Sequence, residues 1–260
     1  MLLVVWKTTL LNVWEVNVNK LWQFEWRKIW RQKSLYICFG IGLIINLLGA
    51  IAIKVLGASS TACLAMCTAL NSGFIALLGI YLAIYACHDH THQTLKCIYA
   101  RGYQRTKVYF TKYLISLCIT MLMAVIYLAF NFLITLLLNG NVGSLDGLEV
   151  QVLLLQFWTL FGFHGMFFGV GMMVGKIAGS LALNLIGIEF CFAILSTIFM
   201  ILKINFDIIQ LSLQSVFDSL SVAIFEGFVI GLLLRSILIP LCYVVLFVGG
   251  GWWINQRRDV

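Results

Sequence analysis

Long apolar runs broken by short charged connectors dominate this chain. Six stretches carry few or no charges: roughly Ser34–Leu56, Leu64–Cys87, Tyr113–Leu138, Gln151–Val174, Leu181–Leu202 and Arg235–Ile254. A helix crosses the hydrocarbon core with about 20 residues, so each stretch predicts a transmembrane span. A membrane barrel would instead show short alternating strands, and no such alternation is present. The pattern predicts an all-α polytopic membrane protein with six transmembrane helices. It divides into residues 1–33, an N-terminal extension with an interfacial helix, and residues 34–260, one six-span domain.

Two segments have a different period. From Lys20, the residues Trp22, Trp26, Ile29 and Trp30 fall on one helical face, with Arg27, Lys28 and Arg31 away from it. That pattern suits an elbow helix lying in the interface, with Trp22, Trp26 and Trp30 as anchors at headgroup depth. Before it, Met1–Val13 is apolar but too short to span, and it lacks the basic start and cleavage site of a signal peptide. Between spans five and six, Ile209, Leu213, Val216, Phe217, Leu220 and Ile224 line one face. Gln210, Ser212, Gln214, Asp218 and Ser221 lie elsewhere on that helix. The period is near 3.6 residues. It predicts an amphipathic helix on the outer surface, with Phe228–Leu234 re-entering the membrane after it.

Composition agrees with the class. The chain is 62% apolar and 10% charged, whereas soluble domains hold about 45–50% and about 25%. Its formal net charge is +7. With the N-terminus inside, fourteen of the lysines and arginines fall on the inner side and only Lys54, Lys203 and Arg235 on the outer side. This bias sets topology, so both termini are expected in the cytoplasm and the protein in the cell membrane. Topology and anionic lipid account for the positive charge, which does not point to nucleic acid.

Candidate chemistry is sparse. His88, Asp89, His90 and His92 follow Cys87, and His88 and His92 at i, i+4 offer two ligands from one helical face. A metal needs more ligands than that pair, so the first reading is a polar loop without metal. Asn131, His164 and Glu189 fall inside spans three, four and five. Ionisable groups there mark pathways or interhelical hydrogen bonds; for His164 the hydrogen bond is favoured, and for Glu189 both readings stay open. Gly162, Gly165, Gly169, Gly171, Gly175 and Gly179 have small-xxx-small spacing, which permits close helix contact within the chain or between copies. The eight cysteines lie mostly in spans, and no structural disulfide is expected.

Residues 87–112 form a basic connector between spans two and three. Within it, Asp89-x4-Thr94-Leu95-Lys96 is followed by Gly102-Tyr103-x-Arg105-Thr106-Lys107-x-Tyr109-x2-Lys112. The chain closes on Trp253-Ile254-x2-Arg257-Arg258-Asp259-Val260. In order and spacing these resemble the ABC-2 permeases, particularly the short six-span subunits of lantibiotic-immunity and bacitracin-type exporters. The resemblance runs over about residues 20–260. The His-rich filler at 88–92 departs from it.

The resemblance implies the membrane half of an ATP-driven exporter. The chain has no G-x4-GK[ST] phosphate loop, so no cofactor is expected on it, and ATP and Mg belong to a separate ATP-binding-cassette subunit. A second permease, identical or related, would stand beside it in the bilayer. The ATPase-coupling loop then comprises Asp89, Thr94, Leu95, Lys96, Arg101, Tyr103, Arg105 and Lys107, with Thr94 expected to cap a short helix from Leu95. A competing class is a non-ABC membrane protein: a six-span carrier, which would show inverted repeats, or a metalloenzyme using the histidines.

Overall fold

The computed structural model describes residues 19–55, 70, 72–139, 147–201, 208–226 and 230–258, and among these residues all regular structure is helical. In chain order the helices are α1 (19–30), α2 (Lys33–Val55), α3 (Ser72–Thr91), α4 (Thr94–Ala100), α5 (Arg105–Asn139) and α6 (Gly147–Val174). There follow α7 (Ile177–Ala182), a π turn at Leu183–Gly187, α8 (Ile188–Ile201), a 3₁₀ turn at Ile208–Leu211, α9 (Leu213–Glu226) and α10 (Ile230–Arg257).

Five helices, α2, α3, α5, α6 and α10, are individually long and apolar enough to cross a bilayer. The sixth crossing is broken: Ile177–Gly187 and Phe190–Phe199 meet at 41°. The parallel packing of α6 and α10 requires that this broken pair cross. Gly162 lies against Pro240, Gly165 against Val244 and Gly169 against Phe247, so both helices run the same way. The chain therefore has to return across the bilayer between them, and among the described residues there only α7–α8, taken together, is long and apolar enough. The break coincides with the π turn, a common site of bends. There the buried Asn184 amide reaches the carbonyls of Gly79 at 3.4 Å and Phe167 at 3.5 Å.

Several boundaries differ from the hydropathy reading. α3 starts at Ser72 rather than Leu64, and residues 56–69, with Cys63 and Cys67, lie outside the described residues. α5 starts eight residues early, at Arg105 rather than Tyr113. Its 35 residues give about 50 Å at 1.5 Å per residue, well beyond the roughly 30 Å hydrocarbon core. The first turns of α5 thus project from the bilayer and carry Arg105, Lys107 and Lys112 of the basic connector.

The close packing that the glycines permit occurs within the chain. A Cβ on Gly169 would collide with the Phe247 carbonyl oxygen, and one on Gly162 would sit 2.7 Å from the Pro240 ring. Gly171 meets Ala86 of α3 in the same way. Gly175 ends α6 at φ +67°, a left-handed conformation suited to glycine.

α9 corrects the expectation of a surface helix. Leu213, Val216, Phe217 and Leu220 are buried as their period predicts. However, Leu213 packs at Gly162 and the Phe217 ring lies 6.2 Å from that of Phe163, halfway along α6. Gln156 nearer the start of α6 reaches Ser221 at 3.5 Å. The helix therefore dips between α6 and α10 instead of lying flat on the surface. Ser212, expected on the polar side, is buried and accepts the Ser215 backbone N–H at 3.0 Å as an N-cap. The segment expected to re-enter, Phe228–Leu234, begins α10 from Ile230 onward; its first two residues lie outside the described residues.

A buried ion-pair joint at the charged end

α3, α6 and α10 all end at the face that carries α1 and α4. Their exposed carbonyls make that end electronegative, and arginines meet them. Arg258 donates to the Met173 carbonyl at 2.6 Å and to Met172 and Val174 at 3.4 Å, closing α6. Arg105 donates to the carbonyls of Gln256 at 2.9 Å and Arg258 at 2.7 Å, closing α10. Basic residues at this end therefore complete helices as well as carrying topological charge.

Beneath α4 lies a compact charged cluster. Glu25 and Lys28 come from α1, Tyr85 and Asp89 from the last turns of α3, Thr94 from α4 and Lys112 from α5. Glu25, Asp89 and Lys112 are essentially inaccessible to solvent. Both lysine ammonium groups donate to Asp89, Lys28 to one carboxylate oxygen and Lys112 to the other. The Thr94 hydroxyl adds a hydrogen bond to Asp89 Oδ1 at 2.6 Å. Tyr85 donates to Glu25 at 3.0 Å, and Glu25 stands 4.0 Å from each lysine. Both ammonium groups also lie over the Tyr85 ring, at 5.8 and 5.2 Å. Two carboxylates thus balance two ammonium groups in a site where only Lys28 keeps some contact with water. Burial pulls the Lys28 ammonium below its ordinary value, with the Glu25 charge opposing.

Such a cluster contributes little net stability over an apolar core, but losing one partner leaves an uncompensated buried charge. It also requires four helices to hold one relative position. A second, apolar layer finishes the joint: Leu95 and Ile98 of α4 pack against Leu21 of α1 and Val108 of α5, with Tyr99 and Tyr103 alongside.

The predicted loop residues separate into inner and outer sets. Asp89, Thr94 and Leu95 are structural parts of the joint. Thr94 does not cap from outside the helix: α4 begins at Thr94 itself, Gln93 holds the capping position at φ +54°, and the Thr94 hydroxyl turns to Asp89. Gly102 ends the loop at φ +86°. Arg105 and Lys107 are half-buried, and Arg105 is committed to α10 with its guanidinium 5.4 Å from the Tyr99 ring. Lys96 and Arg101 are exposed beside Cys97 and Ala100.

Sequence reasoning missed Glu25 and placed Lys28 on the outward face. The inward face of α1 is Leu21, Glu25, Lys28 and Ile29. That i, i+4, i+7, i+8 spacing was present in the sequence, but the tryptophans mark a competing stripe. Trp22 and Trp30 are exposed, and Trp26 packs edge-on to Trp30 at 6.0 Å.

The remaining candidates fall elsewhere. His164 bridges α6 to α5, with Nε2 3.2 Å from the Ser116 hydroxyl and Nδ1 3.1 Å from that of Thr120. Ser116 donates to the Tyr113 carbonyl, so it accepts from Nε2–H and Thr120 donates to Nδ1. This is the interhelical role. Asn131 is buried on α5 with no partner for its side-chain oxygen. Glu189 belongs to α8, and its side chain lies outside the described residues. The His88 and His92 rings lie 4.4 Å apart and tilted by 48°, whereas His90 faces Gly175 beside Arg258. Among the described residues no three His, Cys, Asp or Glu side chains converge as a metal site.

The comparisons agree with this architecture. No individual curated protein matches the chain. A family model described as "ABC-2 family transporter protein" matches residues 21–188, from the buried face of α1 through the whole joint to the broken crossing. This multi-pass membrane protein with a tied loop between its second and third crossings belongs to the ABC-2 family of transporter proteins.

Proposed function

We propose that the chain is the permease subunit of an ATP-binding-cassette exporter, moving a peptide, antibiotic or other amphipathic substrate out of the cell. In this reading a separate ATPase subunit binds ATP and Mg, and a second permease, identical or related, completes the pathway. The face bearing α1 and α4 lies in the cytoplasm, with both termini on that side.

The observation that carries this reading is the anchoring of α4. A soluble ATPase can drive the spans only through a contact that does not yield. α4 is seven residues long, too short to be stable alone, yet the ion-pair joint below holds it to α1, α3 and α5. Its outer face offers Lys96 and Arg101, and a push there is transmitted to four helices. By contrast, only Gly175 and Lys176 lie between α6 and α7, leaving nothing to dock on.

The test is co-purification of an ATP-binding-cassette ATPase with this chain, followed by Lys96→Glu/Arg101→Glu. The double variant is expected to fold and insert normally but to lose at least tenfold in ATPase binding, or to hydrolyse ATP without export. Unchanged binding, hydrolysis and transport would reject α4 as the docking helix.

A further inference from the structure

Beside the joint, α1 and the end of α3 enclose an open cleft of about 580 Å³. Lys20, Arg27, Lys28, Arg31, Gln32 and His88 line it. We infer that this cleft binds an anionic phosphate group, supplied by the headgroup of a membrane phospholipid.

Charge balance is the first support. Among the described residues, the carboxylates of this end are Glu25 and Asp89, and both are consumed inside the joint. Lys20, Arg27 and Arg31 have no ion-pair partner among the described residues. Unneutralised cations converging on one cleft attract an anion, and arginines match phosphate oxygens with paired donors.

The second support is independent of charge. Both side-chain amide atoms of Gln32 are shielded from solvent and have no hydrogen-bond partner within the protein, whereas His88 Nδ1 stands 3.7 Å from Asp89 Oδ1. Buried polar groups are normally satisfied, so a ligand rich in acceptors accounts for the Gln32 donor. A phosphate supplies several acceptor oxygens in one place.

The setting favours lipid as the source. Phe24, half exposed, forms part of the cleft wall, and Trp22 and Trp30 are exposed on the same helix. Such aromatics sit at headgroup depth, where an acyl chain can follow Phe24 while the phosphate meets the cations. Lys28 lines the cleft and also donates to Asp89. A bound headgroup therefore adds negative charge at the edge of the joint, next to Lys28.

The experiment titrates the purified full chain in detergent with dioleoylphosphatidylglycerol, dioleoylphosphatidylcholine or inorganic phosphate, and counts bound species by native mass spectrometry. Removing a surface cation near an anionic membrane costs about 1 kcal/mol, so Arg27→Gln/Arg31→Gln should bind phosphatidylglycerol roughly thirtyfold more weakly. Lys96→Gln/Arg101→Gln, with the same loss of charge on α4, should bind within about twofold of the wild type. Gln32→Leu, which changes no charge, should also weaken binding. Phosphatidylglycerol retained against millimolar inorganic phosphate assigns the site to lipid. Inorganic phosphate binding alone, with the same dependence on Arg27 and Arg31, keeps the phosphate site and makes its ligand a soluble anion. Equal binding by wild type and the cleft variants, equal loss in the α4 control, or phosphatidylcholine bound as tightly as phosphatidylglycerol would overturn the inference.

Discussion

Lys112 of α5 donates into the carboxylate of Asp89 of α3, and neither side chain is accessible to water. The pair locks the start of α5 to the end of α3 directly under α4. Replacing Lys112 by Met leaves Asp89 and Glu25 facing Lys28 alone, and an unbalanced buried charge costs about 3–5 kcal/mol. Lys112→Met should therefore lower the thermal midpoint sharply in a fluorescence melt. Asp89→Asn/Lys112→Met restores balance around the remaining Glu25–Lys28 pair and should recover much of the loss. A double variant no better than the single would mean that the charges do not act as a unit.

Arg105 and Arg101 are separated by four positions but should behave differently. Arg105 closes α10 through two carbonyls, whereas Arg101 is exposed. Arg105→Glu should destabilise the chain by about 1–3 kcal/mol, because charge-assisted bonds are lost and an anion faces a helix C-terminus. Arg101→Glu should leave the melt unchanged and act only on ATPase association. Identical melts for the two variants would refute the helix-closing role of Arg105.

Gly169 and Gly40 offer a packing test. A methyl group at Gly169 meets the Phe247 backbone, whereas Gly40 has nothing within 4 Å of its would-be Cβ. Gly169→Ala should push α6 from α10 and cost about 1–3 kcal/mol. Gly40→Ala should be neutral or stabilising, by up to about 1 kcal/mol, since it removes a flexible residue from a helix interior. Thermal melts of the two variants in one detergent decide this.

α9 makes a fourth prediction. Leu213 and Leu220 are buried against α6 and α10, so Leu213→Asp and Leu220→Asp should impair assembly or export. Ser212→Ala should cost about 1 kcal/mol as the loss of an N-cap. Asp218 is exposed and bonded only within its own helix, to Gln214 at 2.9 Å, so Asp218→Asn should be tolerated. Protease-resistant yield and size-exclusion profiles of the variants would show whether α9 is seated as described.

What the chain determined by itself was the medium and the count of crossings. Hydropathy is additive along a segment, and about 20 apolar residues select lipid whatever surrounds them. The inward face of α9 was equally legible, because Leu213, Val216, Phe217 and Leu220 share one period. Its depth was not, since that depends on the notch left by Gly162 and Pro240 on two other helices. Tertiary structure also decided the role of each charge. The Glu25–Lys28 pair, Asp89 and Lys112 come from three separate segments of the chain, and in isolation each reads as a solvated loop or interface residue. Only the packing of α1, α3 and α5 removes water from between them, and removing water turns scattered charges into one joint. The same packing leaves Lys96 and Arg101 outside, where their charge remains available to a partner.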